Sequence, residues 1–224
     1  MVEFGAALGY WAARWQPLPR AVRPTGRGRE VTSVAAGWTD LLRAGPALDL
    51  TGGARARLHQ LDASDAWAVF LQRNQPPEPI AEQVPAAIDD LVDAAVSVYA
   101  DWASGHPVML VHAATAPRAA GLVLPALPRR LWQQTLCWSW RTSAALVALY
   151  RPSRPLNGPQ EHVGLAERTQ APDSANLADL ADRALRHADE HVIKLTEVAL
   201  ESMVRGRPRA AVAIQAALAA VPAA

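Results

Sequence analysis

Pro85-Ala86-Ala87-Ile88-Asp89-Asp90-Leu91-Val92-Asp93-Ala94-Ala95-Val96-Ser97-Val98-Tyr99-Ala100-Asp101-Trp102-Ala103 decides the fold class. Ile88, Val92, Ala95, Val96 and Tyr99 recur at spacings of three and four, which is one face of an α-helix. Gly105-His106-Pro107 ends the run. The same pattern extends in both directions, because Ala and Leu dominate the chain and alternating β-branched segments are nearly absent. The expected architecture is all-α, a multi-helix bundle-like array forming a single domain over residues 1–224.

Proline and glycine place the breaks. Val2 to Gln16 reads as a helix stopped by Pro17 and Pro19, followed by a Pro/Gly/Arg loop over 17–31. Thr32 or Ser33 caps a helix to about Ala44. Short helices are expected near Gly53 to Leu61 and Ser64 to Arg73, with a break at Gln75-Pro76-Pro77-Glu78-Pro79. Val108 to Leu127 contains Pro117 and Pro125, which predicts two short helices joined by a kink. Arg129 to Tyr150 is another long helix, followed by a loop over 151–173. Asp173 or Ser174 then opens one helix reaching about Arg205. Gly206-Arg207-Pro208 stops it, and a short Ala-rich helix closes the chain.

A length of 224 residues, half of them apolar, provides for one domain with an ample core, and the net charge of +1 gives no electrostatic case for nucleic acid or an anionic membrane. The single cysteine, Cys137, excludes an internal disulfide and reads as a packing residue in a reducing cytosol. The first residues lack the basic region of a signal peptide, and no uninterrupted apolar run reaches the ~20 residues of a membrane span. A cytoplasmic protein is expected. Phe4, Leu8, Trp11 and Trp15 make the first helix strongly apolar and it has no cap, so a further part of a longer protein, a separate N-terminal fragment or a second copy is expected to cover it.

The candidate chemistry begins with a residue count. Of the 22 basic residues only one, Lys194, is lysine, in the run His187-Ala188-Asp189-Glu190-His191-Val192-Ile193-Lys194-Leu195-Thr196-Glu197. Arg is always charged, whereas Lys can lose its proton and act as a base, a Schiff-base former or a carbamate. The alternative is that one lysine survives by chance. On a continuous helix, His187, His191 and Lys194 fall within about 60° of one another. Neutral imidazole suits iron, zinc, copper or nickel, and Asp189, Glu190 and Glu197 lie near enough to orient the rings.

His112 lies in the apolar run Val108-Met109-Leu110-Val111-His112-Ala113-Ala114-Thr115-Ala116-Pro117, where a buried imidazole needs a partner, either a backbone carbonyl or a metal. Thr115 shares its face. His59, His106 and His162 read as surface residues. The eight tryptophans are core anchors, or some of them line a flat aromatic pocket.

Four runs together resemble the questin oxidase-like family: Leu8 to Trp15, Leu110 to Ala116, Leu131 to Tyr150, and Asp189 to Glu197. The resemblance implies a mostly helical oxidoreductase that opens the ring of an anthraquinone-type polyketide with O2, either as an NADPH-linked or as a non-haem iron reaction. It further implies iron held by histidines and a carboxylated lysine. On this sequence His112 matches the His-x-x-Thr segment, and His191 and Lys194 match the His-x-x-Lys segment. His187, Thr115 and Glu197 are then outer partners. Family members carry a further N-terminal region with more histidine motifs, so the chain resembles the C-terminal portion of a member.

The expected metal ligands are His112, His191 and Lys194 as carbamate, holding iron, with NADPH as the candidate reductant, although neither a Gly-x-Gly-x-x-Gly run nor a phosphate loop is present. The rival is an inactive helical remnant or interaction module. A carbamate-lysine hydrolase ranks last, because its usual barrel needs strands.

Overall fold

The computed structural model describes residues 51–76, 78–152 and 174–223, together with thirteen scattered residues before 51. The described chain is all-α. Its helices are α1 (Ala54–Ala63), α2 (Asp65–Arg73), α3 (Val84–Trp102), α4 (Pro107–Val123), α5 (Trp132–Tyr150), α6 (Ser174–His187), α7 (Glu190–Val204) and α8 (Arg209–Ala220). Three single 3-10 turns punctuate them, at Ala81–Gln83, Leu124–Ala126 and Arg129–Leu131. The β structure among the described residues is one parallel pairing of two residues, Arg29–Glu30 with Asn74–Gln75. Residues 5, 6, 9 and 13 are helical, as are 37, 38, 41 and 42. The rest of the two expected N-terminal helices, most of the 17–31 loop and residues 153–173 lie outside the described residues.

The helix at the centre is α3. Its expected apolar stripe, Ile88, Val92, Ala95, Val96 and Tyr99, is fully buried, and so are Leu91 and Val98 on its flanks. Burial of each large aliphatic side chain contributes about 1.5–3 kcal/mol. α4, α5, α7 and α8 all pack against it. At Gly121 a Cβ would stand 3.2 Å from Ile88 Cγ2, so a residue without one lets the end of α4 close onto α3.

Carboxylates on the polar side of α3 hold the C-terminal hairpin. Arg205 donates from Nε and a terminal nitrogen to Asp93, which is 3% exposed, and Arg207 Nε donates to the same carboxylate at 2.8 Å. Arg207 also reaches Asp90 at 3.0 Å, and Arg209 pairs with Asp101. Between the first two arginines, Gly206 takes a left-handed conformation at φ 79°, which turns α7 into α8.

Two boundaries differ from expectation. α4 does not break at Pro117 but continues through it. Proline lacks the N–H that would bond the carbonyl four residues back. That carbonyl belongs to Ala113, and it accepts the Ser143 hydroxyl of α5 at 2.8 Å instead. A side chain from the next helix therefore satisfies the acceptor that the proline orphans. With the turn that follows, Pro107–Ala126 is long and apolar enough by length and composition to cross a membrane. Here it lies in the bundle, with Leu110, Val111, Ala113, Ala114 and Pro117 buried.

The second difference is the expected single helix from Ser174 to Arg205, which is broken in two. Ala188 sits at φ 66°, in the left-handed region, and the Asp189 carboxylate accepts the backbone N–H groups of His191 and Val192. An N-cap is worth about 1 kcal/mol, and here it starts a new helix in the middle of the run.

Candidate functional site

The Ala188 break changes which histidines meet. His187 ends α6, and its Nε2 donates to the Val221 carbonyl at 3.0 Å, at the end of α8. The one-face reading of His187, His191 and Lys194 needed a continuous helix and is corrected: His187 is turned to the C-terminal segment. Only His191 and Lys194 share a helix.

His112 and His191 come together from α4 and α7, with ring centroids 5.7 Å apart and planes inclined at 53°. Farther along the same two helices, Arg118 pairs with Glu201 at 2.6 Å. Both contacts run in the same chain order, so α4 and α7 lie side by side in the same sense.

The hydrogen bonds fix the proton positions. His112 Nδ1 lies 3.2 Å from the Val108 carbonyl. A carbonyl only accepts, so Nδ1 carries the hydrogen, and in the neutral ring Nε2 is then the acceptor. His191 Nδ1 is buried without a hydrogen bond and lies 3.4 Å from Asp189 Oδ1, an oxygen that accepts the backbone N–H groups of His191 and Val192. Partial burial raises the Asp189 carboxyl, but the N–H donors of His191 and Val192 and the neighbouring imidazole outweigh it and hold the group below its ordinary range.

The remaining expected residues are placed as follows. Lys194 is half exposed, with Nζ 2.5 Å from Glu190 Oε2 one turn back on α7. That ion pair, first through its hydrogen bond and then through its charge, lowers the Glu190 carboxyl. Glu190 Oε1 also stands 4.0 Å from His191 Nε2. The Thr115 hydroxyl donates to the Val111 carbonyl of its own helix at 3.3 Å and is not engaged with the imidazoles. Glu197 is exposed.

Two imidazoles this close bring together ring nitrogens of the type that bind first-row transition metals. Among the described residues no three His, Cys, Asp or Glu side chains form a metal-binding group. The fold thus supplies two donors, and the amine expected as the third points to Glu190.

Away from the pair, Trp67, Phe70 and Trp140 form a continuous stack, with centroids 5.3 and 5.7 Å apart. With Trp67 and Trp140 fully buried, this is core, as the anchor reading has it. Cys137, expected in the core, is only half buried. His106, expected at the surface, is half buried against the Tyr150 ring, with Nε2 3.4 Å from an Arg57 nitrogen. Burial, then the Arg57 charge, lowers its pKa. His59 is exposed as expected, and His162, Trp11 and Trp15 lie outside the described residues. Sequence reasoning missed Ser143, a hydroxyl within a helical face that carries no motif.

No family model, no curated protein and no solved structure matches this chain.

Proposed function

We propose that this chain is the histidine-bearing helical body of an oxidoreductase resembling questin oxidase. The reaction would be oxidative ring cleavage of an anthraquinone-type or related aromatic polyketide with O2. The observation that supports this best is the His112–His191 pair: two imidazoles from separate helices, 5.7 Å apart, with His112 Nε2 held as an acceptor by the Val108 carbonyl. Two such nitrogens suit a first-row transition metal, and iron is the metal proposed.

Bound iron would supply the redox chemistry. The chain's own groups hold and orient. Val108 sets the His112 tautomer, Asp189 backs His191, and the buried faces of α3, α4 and α7 keep water from the inner side of the pair. Lys194 is proposed as the third ligand after carbamylation, in which the neutral Nζ adds to CO2 and releases one proton. Glu190 holds the amine as an ammonium, so this step requires the pair to open. NADPH is the proposed reductant, carried by another protein or domain. Its proposed ligand is a small aromatic molecule rather than nucleic acid or membrane, and its proposed location is the cytoplasm.

A second reading, an inactive helical remnant or interaction module, draws on the Lys194–Glu190 pair and the absence of a three-donor group among the described residues. Metal analysis separates the two. Protein purified with ferrous iron and bicarbonate is expected to carry stoichiometric iron and to lose it in Lys194→Arg, which keeps the charge but forms no carbamate. Iron retained in that variant removes the lysine from the site. Metal-free wild type favours the second reading.

A further inference from the structure

Little holds α1 to the bundle. Of its ten residues two are buried, Arg57 and Leu61. Gly53 before it offers no side-chain cap, and Arg55 and Arg57 stand in its first turn, where the helix dipole disfavours a cation. A helix with so few buried contacts belongs to the part of a fold that opens first. It is tied to the end of α5 by a cluster of three side chains. The Arg57 guanidinium lies over the Tyr150 ring at 5.1 Å. The His106 ring stands nearly perpendicular to the same ring at 5.6 Å, and an Arg57 terminal nitrogen lies 3.4 Å from His106 Nε2. An arginine only donates, so Nε2 accepts and the imidazole in this contact is neutral.

Protonation removes that acceptor and leaves two like-charged donors facing each other. His106 is also the N-cap of α4, a second place where a helix dipole disfavours a cation. Among the described residues, Arg57 is the charge that bears on His106. Asp101 at the end of α3 is paired with Arg209, and Arg151 beyond α5 lies over Trp102 and donates to the Leu42 carbonyl. On α1, Arg55 and His59 are exposed. Asp49, the acid nearest in effect to Arg57, is held by the N–H and hydroxyl of Thr51. The backbone of His106 is fixed, because its carbonyl accepts the Leu110 N–H at 3.0 Å and a Cβ at Gly105 would touch Pro152. The repulsion therefore falls on α1. We propose that the Arg57–His106 contact is a pH-operated latch: protonating His106 releases α1 from the end of α5 and lays bare Leu61 and the Tyr150 ring. The latch is independent of any metal at the histidine pair.

The test is hydrogen exchange of the full chain between pH 7.5 and pH 5, read as protection of each helix relative to its unstructured rate, with the His106 ring titration followed by NMR. In the wild type, protection of α1 is expected to fall by up to about tenfold per pH unit below about pH 6.5 and to level off where the His106 ring titrates, while α3 and α4 keep theirs. His106→Gln is expected to give an α1 protection that does not change with pH. Arg57→Gln, which keeps a donor without the charge, is expected to do the same and to raise the pKa of His106. A wild-type α1 whose protection is flat with pH overturns the proposal. So does a fall shared by α3 and α4, which is global unfolding, or a fall that persists in both variants. If neither variant folds, the wild type decides alone: a fall that levels off away from the His106 titration removes His106 as the latch.

Discussion

The Ser143 hydroxyl of α5 donates to the carbonyl of Ala113, four residues before Pro117 in α4, at 2.8 Å. This contact lets an apolar helix run through a proline and holds α4 against α5 one residue from His112. Ser143→Ala leaves that buried carbonyl unpaired and is expected to cost ~2 kcal/mol in denaturant unfolding. In a Pro117→Ala background the helix regains its own N–H, and the same substitution is expected to cost less than half as much. Equal costs in the two backgrounds would refute the repair.

Asp93 is the buried anchor of the C-terminal hairpin, gripped by Arg205 and Arg207. Removing one partner of a buried charge pair strands the others. Asp93→Ala is expected to destabilise by about 3–5 kcal/mol, with little dependence on salt because the carboxylate is screened from solvent. A loss under 1 kcal/mol that vanishes at high salt would make the pair a surface contact.

His106 gives a pH dependence. Burial and then the Arg57 charge favour its neutral form, so its folded pKa lies below the unfolded value of 6.5. A depressed pKa of this kind contributes stability that is fully present above the unfolded pKa and is lost as pH falls through the folded one. Unfolding free energy is expected to drop on acidification from about pH 7 to about pH 5, and His106→Gln is expected to flatten part of that slope. An identical slope in the variant would remove His106 as a contributor.

Ala188 holds a left-handed conformation at φ 66° without being glycine. Such a residue costs about 1–2 kcal/mol, partly offset by the greater freedom glycine has in the unfolded chain. Ala188→Gly is expected to raise stability by up to ~1 kcal/mol and to leave the Asp189 cap in place. A destabilised Ala188→Gly would show that the methyl group packs in a way that outweighs the strain.

The sequence made α3 legible because its apolar stripe has one period and clear stops on both sides. The start of α2 near Ser64, the Gly206 turn and the Ala-rich last helix were legible for the same local reasons. Pro117 misled because the group that repairs α4 sits on α5, 26 residues later, and nothing near the proline announces it. The run from Ser174 to Arg205 misled in the opposite direction: its helical period is continuous across Ala188, and the break rests on one residue's conformation and one capping carboxylate. At the site, His112 and His191 were visible as imidazoles in apolar surroundings, but their approach across two helices was not. Lys194 was conspicuous by rarity, which reports codon usage and chemistry alike, while its ion pair with Glu190 follows from a plain spacing of four.

The central claim is that His112 and His191 jointly hold a metal. The direct measurement is iron per chain after anaerobic loading with ferrous iron and desalting, in wild type, His112→Ala and His191→Ala. About one iron per wild-type chain is expected, with loss from each single variant while the helical fold is kept. Equal iron in all three, or none in the wild type, would contradict it.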